Sequence, residues 1–375
     1  MNRPAALAAL VIGAGLAAWG LSRHRTSPLP DADPWTTLVV PVSVELTPAA
    51  LESLRRAPRT DVPAQVELGG RMLPNAQIHL KGHGRFRPVD DQPSFTVSWS
   101  SPEGPRRLHL ENSLEDPSRL HAFLGSSLFR EAGIPVPEVR HAQVRVMGRP
   151  PGLYVLRTGY DREYVRTAFG IPDGVVLEPV GGADVDGTFQ ASGGPAPEAA
   201  PRAQDAVARL ARDAADPDLE RRWASLEQRL EVGRFATLLA GEALLGHWDG
   251  YGVARNNYRI HWDPASGRCV VLSHGMDQLF PESAYPVRPI VSSLLARTFL
   301  ETRQGRDLYE REWSRLAVAW MDPDALCRRV RDQVGRLEPH LSNAQRSTLR
   351  EESRDLERRI TQRCAAVAGA TTHMW

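Results

Sequence analysis

Residues 246–280 read "GHWDGYGVARNNYRIHWDPASGRCVVLSHGMDQLF". A helical pattern over 232–247 ends here, and Asp249 stands in the loop before the strand-like run "NNYRIHW". "DPASG" has turn chemistry, "CVVLS" reads as the returning strand, and "HGMDQ" follows its end. Such a β-hairpin carries Asp249, Asn256 and Asn257 at one end and returns Asp277 to that same end. Acidic groups at the mouths of buried segments are costly unless something compensates them. The compensation is a metal ion, a hydrogen-bond network or a reaction that uses the charge. A hairpin whose acids only cap turns has the same spacing.

Upstream of the hairpin the chain changes character twice. From Thr37 to about Tyr160, short alternating runs recur: "TLVVPVSVEL", "AQVELGG", "AQIHLKGHG", "SFTVSWS", "RRLHLEN", "AQVRVMG" and "GLYVLRTGY". Period-two alternation bounded by Gly, Pro and Asn predicts antiparallel strands. Two helices interrupt them, "TPAALESLRRA" and "DPSRLHAFLGSSLFREAG", the second opening on Asp-Pro and closing at Gly133. Residues 181–203 are rich in Gly, Ala and Pro and read as a flexible connection. Helical patterns follow over 204–214, 217–230 and 232–247, and again from about 305 to 368. Strands first and helices afterwards imply an α+β chain in two lobes. The expected division is a β-rich N-lobe at 37–180, the connection at 181–203, and a helical C-lobe at 204–370 that contains the hairpin at 247–280.

Composition narrows the function. The 375 residues carry 46 basic and 45 acidic side chains, a net charge of +1, with no basic block. A nucleic-acid partner is not expected, because such binding runs largely on phosphate neutralisation. Cys269, Cys327 and Cys364 are far apart without CxxC spacing, so three buried thiols are expected rather than a zinc site, with one disulfide and a leftover thiol as the alternative. His83, His247 and His274 match no metal-ligand spacing. Residues 1–25 hold an almost uncharged run between Arg3 and Arg23, and Pro28, Pro30 and Pro34 follow in the linker 26–36. That length suits a signal peptide or a hydrophobic membrane-anchor helix.

Two carboxylates and an amide at one mouth of a hairpin match the lower half of a kinase nucleotide site. There one Asp takes the substrate proton and another holds Mg²⁺ with an Asn. Oxygen ligands of this kind suit Mg²⁺, which shares itself between one or two carboxylates and substrate phosphates. Lys81 is the only lysine in the chain. It stands where a strand enters the turn Gly82-His83-Gly84, whose backbone amides are suited to phosphate, and Lys acts there as a compact point charge. Arg85 and Arg87, in the same turn, are candidates to share that contact. Asp90 and Asp91 read as a solvated turn.

The blocks "LKGHGRFRPVDDQPSF", "LHLENSLEDPSRLHAFLGSSLFREAGIPVP", "GLYVLRTGYDREYV", "HWDGYGVARNNYRIH" and "LSHGMDQLF" occur in an order that resembles the CotH (spore-coat protein H) kinase family. The resemblance implies an atypical bilobal protein-kinase-like fold. It also implies ATP with Mg²⁺ (or Mn²⁺) and phosphorylation of Ser or Thr on a protein substrate at the cell envelope. A monomer, attached to the membrane through the helix at 1–25, is expected. It places Asp249 as catalytic base, Asp277 as metal ligand, and Asn256 or Asn257 as second metal ligand. Departures are visible. A kinase loop puts Asn five residues after the Asp, where this chain has Ala254. Relatives often carry Lys at Gln92, Glu at about Thr158, and a first carboxylate at Gly275. Each change removes a charge from the expected ATP site, so an inactive pseudokinase acting as a binding or scaffold module is the alternative.

Overall fold

Alternation writes the main sheet. In β1 (Val39–Glu45), β3 (Gln65–Leu68) and β5 (Gln77–Lys81), every second side chain is buried, and Val42, Val44, Val66, Ile78 and Leu80 share one apolar core. The same pleat in β6 (Ser94–Trp99) and β7 (Arg106–Glu111) adds Phe95, Val97, Leu108 and Leu110 to that core and turns His109 and Glu111 to the opposite face. With β2 (Val62–Pro63), β4 (Arg71–Met72), β8 (Val139–Val146) and β9 (Gly152–Thr158), the strands form one nine-stranded sheet in the order β2-β5-β6-β7-β9-β8-β1-β3-β4. Its pairs are antiparallel except β1 with β8, which run parallel. These two strands lie far apart in the chain, so no tight turn obliges them to run in opposite directions.

The computed structural model describes residues 39–82, 86–171, 173–193, 199–282, 285–288 and 290–370. The expected anchor at 1–25, the linker at 26–36, His83 and Arg85 lie outside the described residues. Among those described, no helix is long and apolar enough to cross a membrane.

The hairpin forms as expected from β12 (Tyr258–Trp262) and β13 (Cys269–Ser273), with Tyr258 opposite Ser273. Asp263 closes its turn by accepting the Ala265 N–H at 2.8 Å, and Gly267 takes the left-handed conformation at φ 71°. The hairpin is half of a second sheet, ordered β11-β10-β12-β13, whose other strands are β10 (Val175–Pro179) and β11 (Phe189–Gly193). The expected boundaries therefore shift. Residues 175–179 leave the N-terminal sheet for the hairpin's own, and the supposed flexible connection holds β11 and the start of a helix. The run "VVL" in β10 is buried throughout against β12, a long-range match that outweighs the local Gly and Ala content around it. Residues 34–375 cluster as one compact unit.

Eleven α-helices and a 3₁₀ turn at Glu338–His340 complete the described chain. α1 (Pro48–Arg56) is capped by Thr47. α2 (His121–Glu131) begins five residues later than the Asp-Pro signal suggests, because Asp116 spends its carboxylate on the Arg119 and His121 N–H groups in the preceding turn. α3 (Arg162–Phe169), α7 (Tyr251–Ala254) and α8 (Leu294–Glu301) are too short for a periodic signal. α4 (Ala200–Ala214), α5 (Leu219–Arg229), α6 (Val232–Leu245), α9 (Arg303–Trp320), α10 (Pro323–Leu337) and α11 (Asn343–Ala368) follow the expected patterns. α6 is buried along almost its whole length in a core that includes Trp313, Trp320 and all three cysteines, which are free thiols. On α11, Asp355 pairs with Arg358 and with Arg359, as a solvated charged face should.

Candidate functional site

One wall of the site is the polar face of the large sheet. Lys81 ends β5 opposite Ser94 of β6, and Glu111 ends β7 one strand further on. The pleat that buries Leu80 and Leu110 turns both charged groups the same way. Lys81 Nζ donates to Glu111 Oε1 at 2.6 Å, and Arg157 Nη2 from β9 donates to the same oxygen at 2.5 Å. Burial acts to raise the Glu111 carboxyl, but Arg157 and Lys81 outweigh it and hold the group down at about 2. Arg157 Nη1 also donates to His274 Nδ1 at 2.7 Å. Burial first, and the Arg157 charge second, push His274 well below the usual imidazole range, so it is a neutral acceptor.

The opposite wall is the open end of the hairpin with the turn that follows α6. Asn257 and His274 continue the ladder beyond the strands through a 2.7 Å bond from the His274 N–H to the Asn257 carbonyl. Asp249 accepts from Asn257 Nδ2 at 2.7 Å and from Asn256 Nδ2 at 3.2 Å, which leaves each amide oxygen as the free end. Arg255 and Asn257 both have positive φ, 55° and 44°, so the turn that presents the amides is strained at two non-glycine positions. Gly275 also has φ 55°, and a Cβ there would lie 2.1 Å from Asn257 Oδ1. The Asn257 amide thus fills the space that a carboxylate at 275 would take.

Asp277 differs from every other acid in the site. Burial, and then the facing Glu111 carboxylate, raise its carboxyl to about 7, and no cation counters them among the described residues.

The two walls enclose a cavity of about 410 Å³ that Lys81, Glu111, Arg157, Asp249, Asn256, Asn257 and Asp277 all line. Five expected site residues therefore meet in one place. Arg87 does not join them; it is exposed and pairs with Asp91 at 3.3 Å. Asp90 likewise pairs with Arg55. Thr158 is turned away, its hydroxyl accepting the Glu138 N–H, and Gln92 lies behind Asn112, which donates to its carbonyl. Ala254 sits in α7 and does not line the cavity. Sequence reasoning missed Glu111 and Arg157. The signal for Glu111 was the alternation in "RRLHLE", which puts it opposite Leu110; nothing local marks Arg157.

Among the described residues no three His, Cys, Asp or Glu side chains gather around a point that would hold a metal alone. The donor set nevertheless fits a divalent cation shared with a phosphorylated ligand. Asp277 is a carboxylate with no counter-charge among the described residues, the two amide oxygens are neutral hard ligands, and the remaining positions would fall to phosphate and water. Two further polar atoms at the cavity, Arg157 Nε and Ser273 Oγ, are buried without a hydrogen-bond partner among the described residues.

A cleft with cations on one wall and carboxylates on the other is suited to an anion and its metal. The family model described as CotH kinase protein matches residues 78–363, which include every residue of this cleft. The chain belongs to the CotH kinase family, a group of atypical kinases. No curated protein matches it.

Proposed function

We propose that the protein is an atypical kinase with a bilobal, kinase-like working arrangement, transferring the γ-phosphoryl group of ATP to a Ser or Thr hydroxyl of a protein substrate at the cell envelope. The observation that carries this reading is the separation of charge across the cleft. Lys81 and Arg157 offer two cations to the phosphates, Asp277 faces them as a carboxylate unpaired among the described residues, and Asp249 stands at the mouth. A Mg²⁺ or Mn²⁺ ion at Asp277 and the Asn256 or Asn257 amide oxygen would neutralise charge on the phosphates. Asp249 accepts the proton of the substrate hydroxyl as that oxygen bonds to the γ-phosphorus and the bond to the β,γ-bridging oxygen breaks, releasing ADP. Arg157 restores to the site a charge that the sequence departures take away. Anchoring through residues 1–25 and action as a monomer complete the proposal.

The test is thermal stability with ATP, with Mg²⁺ and with both, alongside transfer of radiolabel from ATP to an acidic protein. A bound nucleotide must raise stability by mass action. Stabilisation that needs both components, with transfer, supports the reading; no stabilisation by any combination overturns it. A second reading, a nucleotide-binding module that has lost transfer, is favoured by the two amide groups donating to Asp249, since donors to a carboxylate weaken it as a base. Stabilisation without transfer would select that reading.

A further inference from the structure

The mechanism leaves one buried acid unused. Glu242, on the last turns of α6, is only 4% exposed, and among the described residues no cation pairs with it. Its Oε1 accepts the Tyr251 N–H at 3.0 Å and its Oε2 accepts the Gly252 N–H at 2.9 Å. Those are the first two amides of α7, whose own N-cap, Gly250, has no side chain to bond them. The Glu242 carbonyl meanwhile accepts the His247 N–H at 2.8 Å. One residue therefore grips both ends of the short link 247–251, and Asp249 is in the middle of it.

The glycines around the link are explained by the same contact. A Cβ at Gly250 would lie 2.6 Å from Glu242 Oε1, and one at Gly252 would lie 3.1 Å from Oε2. The far side of the turn is pinned as well, by the Tyr251 hydroxyl on Asp184 at 2.9 Å and by the Ser292 N–H on the Gly252 carbonyl at 2.9 Å. A Ser or Asn at position 250 would cap α7 without burying a charge. Burial raises the Glu242 carboxyl to about 7 even with two N–H donors holding it down, so the arrangement is costly. What it supplies is two acceptor oxygens at once, on a rigid core helix, against two adjacent amides. Glutamine has one acceptor, and its amide group would face an N–H donor with another.

We infer that Glu242 is a positioning residue, which fixes the Asp249 turn against α6 so that the carboxylate of Asp249 is held at the reacting hydroxyl. This rests on the reading of Asp249 as the base. The experiment compares wild type, Glu242→Gln and Gly250→Ala; the last pushes the Glu242 carboxylate aside while leaving the sequence of α6 unchanged. Each is measured for phosphoryl transfer, for stabilisation by Mg²⁺ and ATP, and for amide hydrogen exchange. Both variants are expected to lose about 10² in kcat with the KM for ATP within twofold, since misplacement of a reacting group acts on rate before affinity. Exchange at Tyr251 and Gly252 should quicken at least about tenfold while the amides of α9 and β13 stay protected. Unchanged exchange at these two amides overturns the inference, as does equal loss of protection across the whole chain. If wild type itself transfers no phosphate, the kinase reading fails, and the exchange result alone decides whether Glu242 holds the turn.

Discussion

The two walls of the cleft treat their carboxylates in opposite ways. On the sheet wall Glu111 is enclosed by Lys81 and Arg157 and is held at about 2; on the hairpin wall Asp277 meets no cation among the described residues and is raised to about 7. The difference is neighbours rather than burial, since burial acts on both groups in the same direction. On the sheet wall the carboxylate is satisfied by two cations, and the positive charge left over is what the wall offers to an anion. A wall that leaves a carboxylate uncompensated is finished only by something that arrives with positive charge. The hairpin wall is therefore where a metal-bearing ligand is expected to make its largest difference.

The strongest way to break this comparison is at the mouth of the hairpin wall. Asp249→Ala should lower phosphoryl transfer by about 10²–10⁴, the usual worth of a general base, and leave Mg²⁺-dependent ATP binding in place. Equal transfer by variant and wild type would make Asp249 a loop cap and nothing more.

On the sheet wall, Arg157→Met should weaken ATP binding by about ten- to a hundredfold, the range of a charge-assisted hydrogen bond. Arg87→Ala, outside the cavity, should leave affinity within twofold. Isothermal titration with both variants checks the pair; an equal loss in each would mean that the phosphates bind at the 82–87 turn and not across the cleft.

Asp277→Asn should abolish the part of ATP affinity that depends on Mg²⁺, yet make the metal-free protein more stable above neutral pH. The folded-state value lies above the unfolded one, so ionising Asp277 costs stability as the pH rises from about 4 through about 7. After allowance for its partial exposure, wild type should lose about 1–3 kcal/mol relative to the variant between pH 5 and 8, read from urea midpoints. Glu111 predicts the reverse slope. Its folded-state value is depressed, so its contribution is present above about 4.5 and is lost as the pH falls toward about 2. Relative to Glu111→Gln, wild type should lose up to about 3 kcal/mol over that acidic window. Parallel curves for the two carboxyl variants would erase the contrast between the walls.

The smallest expected effect sharpens the geometry. Gly275→Ala combines a left-handed backbone with a methyl group driven into the Asn257 amide, and should cost about 1–2 kcal/mol of stability. A neutral result would mean that Asn257 is free to swing away, and that its amide is not a fixed part of the site.

What the sequence determined by itself is what local chemistry controls. The hairpin with its Asp263 turn, the alternating strands, the long amphipathic helices and the gathering of Asp249, the two asparagines and Asp277 at one end all follow from periods and turn residues within a few positions of each other. Lys81 was marked by being alone of its kind. Only tertiary structure decided what faces these groups. Lys81 and Glu111 are 30 residues apart, and Arg157 and His274 are 117 apart. Their meeting depends on strand order and register, which long-range burial selects and no local pattern encodes. The same cause moved β10 and β11 into the hairpin's sheet against their Gly-rich surroundings. It also set Glu242 against the two amides of α7: its place on a helix was legible as one more position in a periodic run, and its partners became visible only once the chain had folded back over it.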